Sequence, residues 1–98
     1  MRYTFHPSAR LELNQAIDYY EKCQAGLGEE FAREVKATIF RIIQYPKAWG
    51  GFSKNTRRCL TNRFPYGLVY QILESEILII AVMQLNREPA YWKNRISK

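Results

Sequence analysis

Apolar side chains recur every three or four residues along the first half of the chain. Ala9, Leu13, Ala16, Ile17 and Tyr20 make one stripe, the spacing of an amphipathic helix. Pro7 and Ser8 stand just ahead of it, with Ser8 as the expected N-cap. Gly26 is placed to end it, because glycine accepts the left-handed conformation common at helix C-termini. A second stripe follows at once in Leu27, Phe31, Val35, Thr38, Ile39 and Ile42. Glu29 and Glu30 fall in its first turn, where negative charge suits the helix dipole, and Pro46 stops it. Two helices joined by a short glycine turn form an antiparallel hairpin.

Elsewhere the pattern changes to that of strands. Residues 2–6 (RYTFH) are short and rich in β-formers. Residues 46–55 (PKAWGGFSKN) read as a loop. Three strands follow at 57–62 (RRCLTN), 67–73 (GLVYQIL) and 76–85 (EILIIAVMQL). The turns between them, 64–67 and 74–76, are too short for a crossover, so these strands run antiparallel. Residues 77–83 are apolar throughout and predict an interior strand covered on both faces. Pro89 suits the first position of a short final helix, where its missing N–H is no loss. The expected order is β-α-α-β-β-β-α. That is an α+β fold, a single domain over 1–98 with an antiparallel sheet and a helical hairpin packed on one face.

Composition narrows the function classes. No apolar run is long enough to cross a membrane, and the N-terminus carries no apolar signal segment, so the expected location is the cytoplasm. Cys23 and Cys59 are far apart and match no metal or redox spacing. Both are read as reduced thiols, and no metal or cofactor is expected. The net charge of +6 is unevenly spread. Residues 1–40 hold five Lys/Arg against six Asp/Glu, net −1, and residues 41–98 hold ten against three, net +7. From Arg41 to Arg63 there are six cations and no acid. Such a face suits an anionic partner, nucleic acid or acidic protein.

The candidate binding residues are Lys54, Arg57, Arg58, Arg63, Arg87, Tyr91 and Arg95. Lys54 precedes the second strand, Arg57 and Arg58 open it and Arg63 closes it. Arg57 and Arg58 point to opposite faces. Tyr91 and Arg95, four apart, share a helix face, while Trp92 and Ile96 are assigned to packing on the sheet. Forked guanidinium donors suit phosphate or carboxylate, and a tyrosine can stack on an exposed base. A ribonuclease using the 2′-OH also needs a base and an acid. Lys54, Arg57, Arg63, Arg87 and Tyr91 are the candidates for such a reaction. His6, the one histidine, lies on the first strand and reads as structural.

Three segments in order, ARLELNQAIDYYE with GLGEEF, then RRCLTNRFPYGLVYQI, then AVMQLNREPAYWKNR, resemble the RelE/ParE superfamily of toxins from bacterial type II toxin–antitoxin systems. The resemblance covers essentially the whole chain. Gln84 and Asn86 stand where close relatives often carry histidine and arginine, whereas Arg87, Pro89, Tyr91 and Trp92 are retained. The missing histidine weighs against a histidine-based nuclease. The long hairpin and the GLGEEF turn look more like the ParE branch.

What the resemblance implies is a plasmid-stabilising toxin that poisons DNA gyrase. An acidic, partly disordered antitoxin would neutralise it in a hetero-oligomer. The alternatives are a RelE-like, ribosome-dependent mRNA endoribonuclease that takes the ribosome and mRNA as partners, and a degenerate toxin that keeps only antitoxin binding. No membrane partner is expected.

Overall fold

A computed structural model describes residues 1–53, 55–88 and 90–97, the side chains of Phe52 and Ser53 excepted. The elements are β1 (Arg2–Phe5), α1 (Pro7–Cys23), α2 (Leu27–Gln44), β2 (Gly51–Ser53), β3 (Thr56–Leu60), β4 (Tyr66–Ile72) and β5 (Glu76–Gln84). A single 3₁₀ turn, Lys93–Arg95, follows. The strands make one five-stranded sheet in the order β1-β5-β4-β3-β2. The helical hairpin packs on one face of it and the C-terminal segment on the other.

Both helices form where the apolar stripes fall. Ala9 and Ala16 of α1 are buried, as are Phe31, Val35, Thr38, Ile39 and Ile42 of α2. They meet Cys59, Leu68, Tyr70, Ile77, Ile79 and Val82 of the sheet. Phe31 sits among Tyr20, Phe64 and Tyr66, with ring centroids 4.9–5.1 Å away, within the range favoured for aromatic pairs. The hairpin turn is built by Glu21. Its carboxylate accepts the Gly26 N–H at 2.9 Å and the Gly28 N–H at 3.1 Å, two of the unpaired donors at the start of α2. Gly26 takes φ +86° as the N-cap of α2 rather than as the end of α1, which stops at Cys23 with Gln24 extended. At Gly28 the helices touch, since a Cβ would lie 2.6 Å from the Ile17 carbonyl.

Four further features differ from the sequence expectation. First, α1 starts earlier, with Pro7 inside it and His6 as the cap, Nδ1 accepting the Ser8 N–H at 3.1 Å. Ser8 therefore supplies a backbone donor rather than a capping hydroxyl.

Second, the stretch read as a loop carries β2, paired antiparallel with β3. The strand is only three residues long, too short for alternation to show.

Third, the sheet is mixed. β3, β4 and β5 are antiparallel as expected, but β1 lies parallel to β5. Hairpin turns fix the direction of β3–β5. No turn links β1 to its neighbour, so its direction follows from how the helical hairpin leaves it. Fourth, Arg63 lies in the turn after β3 rather than closing that strand. Pro89, the expected start of the final helix, lies outside the described residues. Among the described ones, the helical structure after β5 is the single turn Lys93–Arg95.

β5 is interior and covered on both faces, as its apolar run implies, but it carries a bulge. Val69 pairs with Ala81 and Tyr70 with Ile79, so Ile80 is the extra residue. Ile77, Ile79 and Val82 face the hairpin, whereas Ile80, Ala81 and Met83 face Trp92 and Val69. The alternation slips by one at Ile80.

Candidate functional site

β1 pairs only with residues 76–79 of β5. Beyond it the β5 edge would be bare, and the Ile80 bulge turns a carbonyl outward. Two side chains close this gap. Glu12 of α1 accepts the Val82 N–H at 3.0 Å, and Arg95 donates to the Ile80 carbonyl at 3.1 Å. Glu12 and Arg95 are bound to each other at 3.0 Å, with side-chain exposures of 12% and 13%. The ion pair supplies one acceptor and one donor, as a residue of a neighbouring strand would.

Tyr91 and Arg87 hang on this pair. The Arg87 guanidinium lies 3.7 Å from the Tyr91 ring centroid and that of Arg95 5.1 Å away. Both separations are within cation–π range. Arg87 Nη1 is 3.8 Å from Glu12 Oε2, a looser contact than that of Arg95, and its side chain is 54% exposed. The Tyr91 hydroxyl and Glu12 Oε2 are buried, and neither meets strict hydrogen-bond geometry. They are nonetheless close enough to interact. Burial first, then hydrogen bonding and charge from Glu12, push the Tyr91 phenol well above its ordinary value, against the opposing pull of Arg87 and Arg95. A cleft of about 160 Å³ opens beside Arg87, lined by Glu12, Gln15, Tyr19, Tyr66 and Gln84 among others.

The other expected cations lie elsewhere. Arg57 donates to the Trp49 carbonyl at 2.6 Å and the Lys47 carbonyl at 3.3 Å, so it ties the α2–β2 connection to β3. It also lines a groove of about 520 Å³ with Gly51, Asn55, Gln71 and Ser97. Arg58, opposite Val69 in the ladder, lies on the face away from the hairpin. Its methylenes cover Gly67, where a Cβ would approach them to 3.2 Å. Arg63 bonds Glu30 at 2.7 Å, fastening the β3–β4 turn to α2. Lys54 is outside the described residues. The structure thus brings Arg87, Tyr91 and Arg95 together and leaves Arg57, Arg58 and Arg63 on separate surfaces. Arg95, expected on the partner face, is turned inward. Trp92 is 1% exposed, and Ile96 packs beside it, both closing the core as read.

Glu12 is the residue that sequence reasoning passed over. It stands three positions after Ala9 and four before Ala16, inside the apolar stripe, and a carboxylate there needs a buried partner. His6 is occupied as a helix cap. Both cysteines are free, Cys23 exposed and Cys59 buried, and burial pushes the Cys59 thiol up, away from reactivity. No group of His, Cys, Asp and Glu suited to a metal ion occurs among the described residues. No helix among them is long and apolar enough to cross a membrane.

The family model for the ParE toxin of type II toxin–antitoxin systems (parDE) matches residues 3–89. The chain belongs to the ParE toxin family. Among curated proteins none matches. A solved structure described as the chromosomal ParDE toxin–antitoxin system from P. aeruginosa contains a similar chain, with a TM-score of 0.77 at 14% identity. That likeness covers 88% of this chain and 97% of the other, and at this identity it speaks for the fold. The mixed sheet, the helical hairpin and the strand–helix–helix–strands order are therefore those of a ParE-like toxin.

Proposed function

We propose that this chain arrests bacterial growth by binding DNA gyrase and stalling it on cleaved DNA, and that an acidic antitoxin holds it inactive in the cytoplasm. The reading rests on the family match over residues 3–89. It takes further support from the antitoxin partner in the name of the structural neighbour.

The state of Tyr91 weighs against its serving as the general base of an mRNA cleavage. A general base must give up its proton near working pH, whereas burial and Glu12 hold the Tyr91 phenol protonated. The other acid in the cluster, Glu12, is engaged by Arg95 and the Val82 amide. What remains accessible is a cation, Arg87, stacked on an aromatic ring. That group can grip an anion without doing proton chemistry.

The test compares wild type, Arg87→Ala and Tyr91→Phe at matched expression. Growth inhibition, gyrase supercoiling and cleavage, and primer extension on cellular mRNA are each measured. Arg87→Ala should relieve growth arrest, and Tyr91→Phe should leave it nearly intact because the ring stays. Loss of a general acid or base would cost about a hundredfold or more in rate. Codon-phased mRNA cleavage that vanishes in Tyr91→Phe would replace this reading with a RelE-like one. Normal growth with folded wild-type protein would leave antitoxin binding alone.

A further inference from the structure

Glu12 holds two arginines unequally. Arg95 is 3.0 Å away and 13% exposed, and it also caps the Ile80 carbonyl. Arg87 is 3.8 Å away and 54% exposed, and its side chain opens on the 160 Å³ cleft. Removing Arg87 would still leave Glu12 Oε1 paired with Arg95 and the Val82 amide, and would leave the carboxylate beside the Tyr91 hydroxyl. The reverse does not hold, because Arg95 and Val82 are the anchors of the β5 edge. One arm of the carboxylate is structural and the other is releasable.

We propose that the Glu12–Arg87 contact is a latch, and that the cleft beside it receives an aspartate or glutamate side chain of a protein partner, which takes Arg87 from Glu12. The Tyr91 ring, its centroid 3.7 Å from the guanidinium carbon, holds the Arg87 head at the cleft, and a guanidinium's forked donors suit an incoming carboxylate. The incoming carboxylate competes with Glu12 for one guanidinium, and the 3.8 Å separation makes Glu12 the weaker holder. Gln15, Gln84, Tyr19 and Tyr66 line the same cleft and offer amide and hydroxyl groups to the second oxygen or the adjoining peptide.

A nucleic-acid backbone fits less well. It presents a row of phosphates and is bound by several cations at once. Among the described residues lining this cleft the one cation is Arg87, with Glu12 beside it. The inference is independent of which target the toxin reaches.

The experiment uses the full chain with its arginine side chains labelled for NMR. Sodium acetate is titrated against sodium chloride at constant ionic strength, and inorganic phosphate is titrated in a separate arm. Acetate should shift the Arg87 guanidinium saturably and leave Arg95 and the Val82 amide unmoved. Arg87→Ala identifies the signal. Glu12→Gln keeps an oxygen for Val82 but removes the competing charge, and it should bind acetate about fivefold more tightly.

A purely structural Glu12 predicts the opposite sign. Weaker acetate binding in Glu12→Gln would make Glu12 a positioning residue and sink the latch. Equal movement of Arg95 and Arg87 would show that the two arms are not separable. A response to phosphate with none to acetate would overturn the carboxylate assignment. Should Glu12→Gln fail to fold, the wild-type comparison of Arg87 with Arg95 and Val82 decides the matter alone.

Discussion

Tyr70, Tyr66, Tyr20, Tyr91 and Cys59 all hold their protons more tightly in the fold than in the unfolded chain, with burial the first cause in each. Tyr70 is the best defined. Its hydroxyl donates to the Pro46 carbonyl at 2.6 Å, and it is pushed up to about 12. A raised pKa means that the folded state keeps a proton that the unfolded state gives up. The contribution is complete below the ordinary value of 10.0 for tyrosine and is lost as pH rises from there towards about 12. For Cys59 the window opens from 9.0. Stability measured by urea melts should therefore hold level from about pH 7 to 8 and fall progressively above about pH 9. Ultraviolet absorbance should show part of the tyrosine complement ionising late. A stability that stays level to pH 11 or beyond would contradict the burial of these phenols. The residue scale was only partly legible in the sequence. Trp92 and Ile96 read as core because aromatic and branched side chains four apart need cover, and both pack there. Arg95 reads as exposed because nothing in its own neighbourhood reveals a carboxylate 83 positions away.

Elements were more readable than their arrangement. Helical stripes announce themselves because one face is polar, and both helices lie where the stripes predict. The β5 run has no polar phase, since both faces are covered, so neither the Ile80 bulge nor the slip in alternation could show. The direction of β1 was hidden for a different reason. Parallel pairing depends on the path of two helices and not on any turn beside the strand. The hairpin itself makes a sharp prediction at Gly28. An added methyl would meet the Ile17 carbonyl at 2.6 Å and the Glu21 side chain at 3.0 Å. The nearest atom is backbone and cannot move without shifting α1, and the Glu21 carboxylate is already committed to two amides. Alanine normally favours a helix over glycine by about 1 kcal/mol, but here overpacking should outweigh it. Gly28→Ala should destabilise by roughly 1–3 kcal/mol, lowering the melting temperature by several degrees. A melting temperature unchanged or raised would mean that the two helices can separate at no cost.

At the scale of the whole molecule, the acid-free run from Arg41 to Arg63 looked like a continuous cationic surface, and the fold divides it. Arg41 donates to the Leu60 carbonyl at 3.2 Å, Arg57 to the carbonyls of residues 47 and 49, and Arg63 to Glu30. Part of the positive charge therefore holds loops to the framework, which a charge count cannot reveal. These cations differ in what their removal would disturb. Arg57→Glu would place a carboxylate against two carbonyl oxygens, so any change in partner affinity would be mixed with a misplaced loop. Arg63 is 60% exposed, and its pair with Glu30 is a surface ion pair, worth about 1 kcal/mol or less. Reversing it tests the interface with little cost to the fold. If an acidic antitoxin covers the Arg57–Arg63 surface, Arg63→Glu exchanges an attraction for a repulsion at that interface. The expected result is an antitoxin affinity at least about tenfold weaker by calorimetry, with a loss that shrinks as salt is raised. The melting temperature of the free toxin should fall by no more than a few degrees, from the lost pair and the new repulsion with Glu30. Equal affinity of Arg63→Glu and wild type at low salt would move the interface off the β3–β4 turn and onto the helical hairpin. There Arg10 lies 4.8 Å over the Phe5 ring and Lys36 6.0 Å from that of Phe40, and these cations would be the next to reverse.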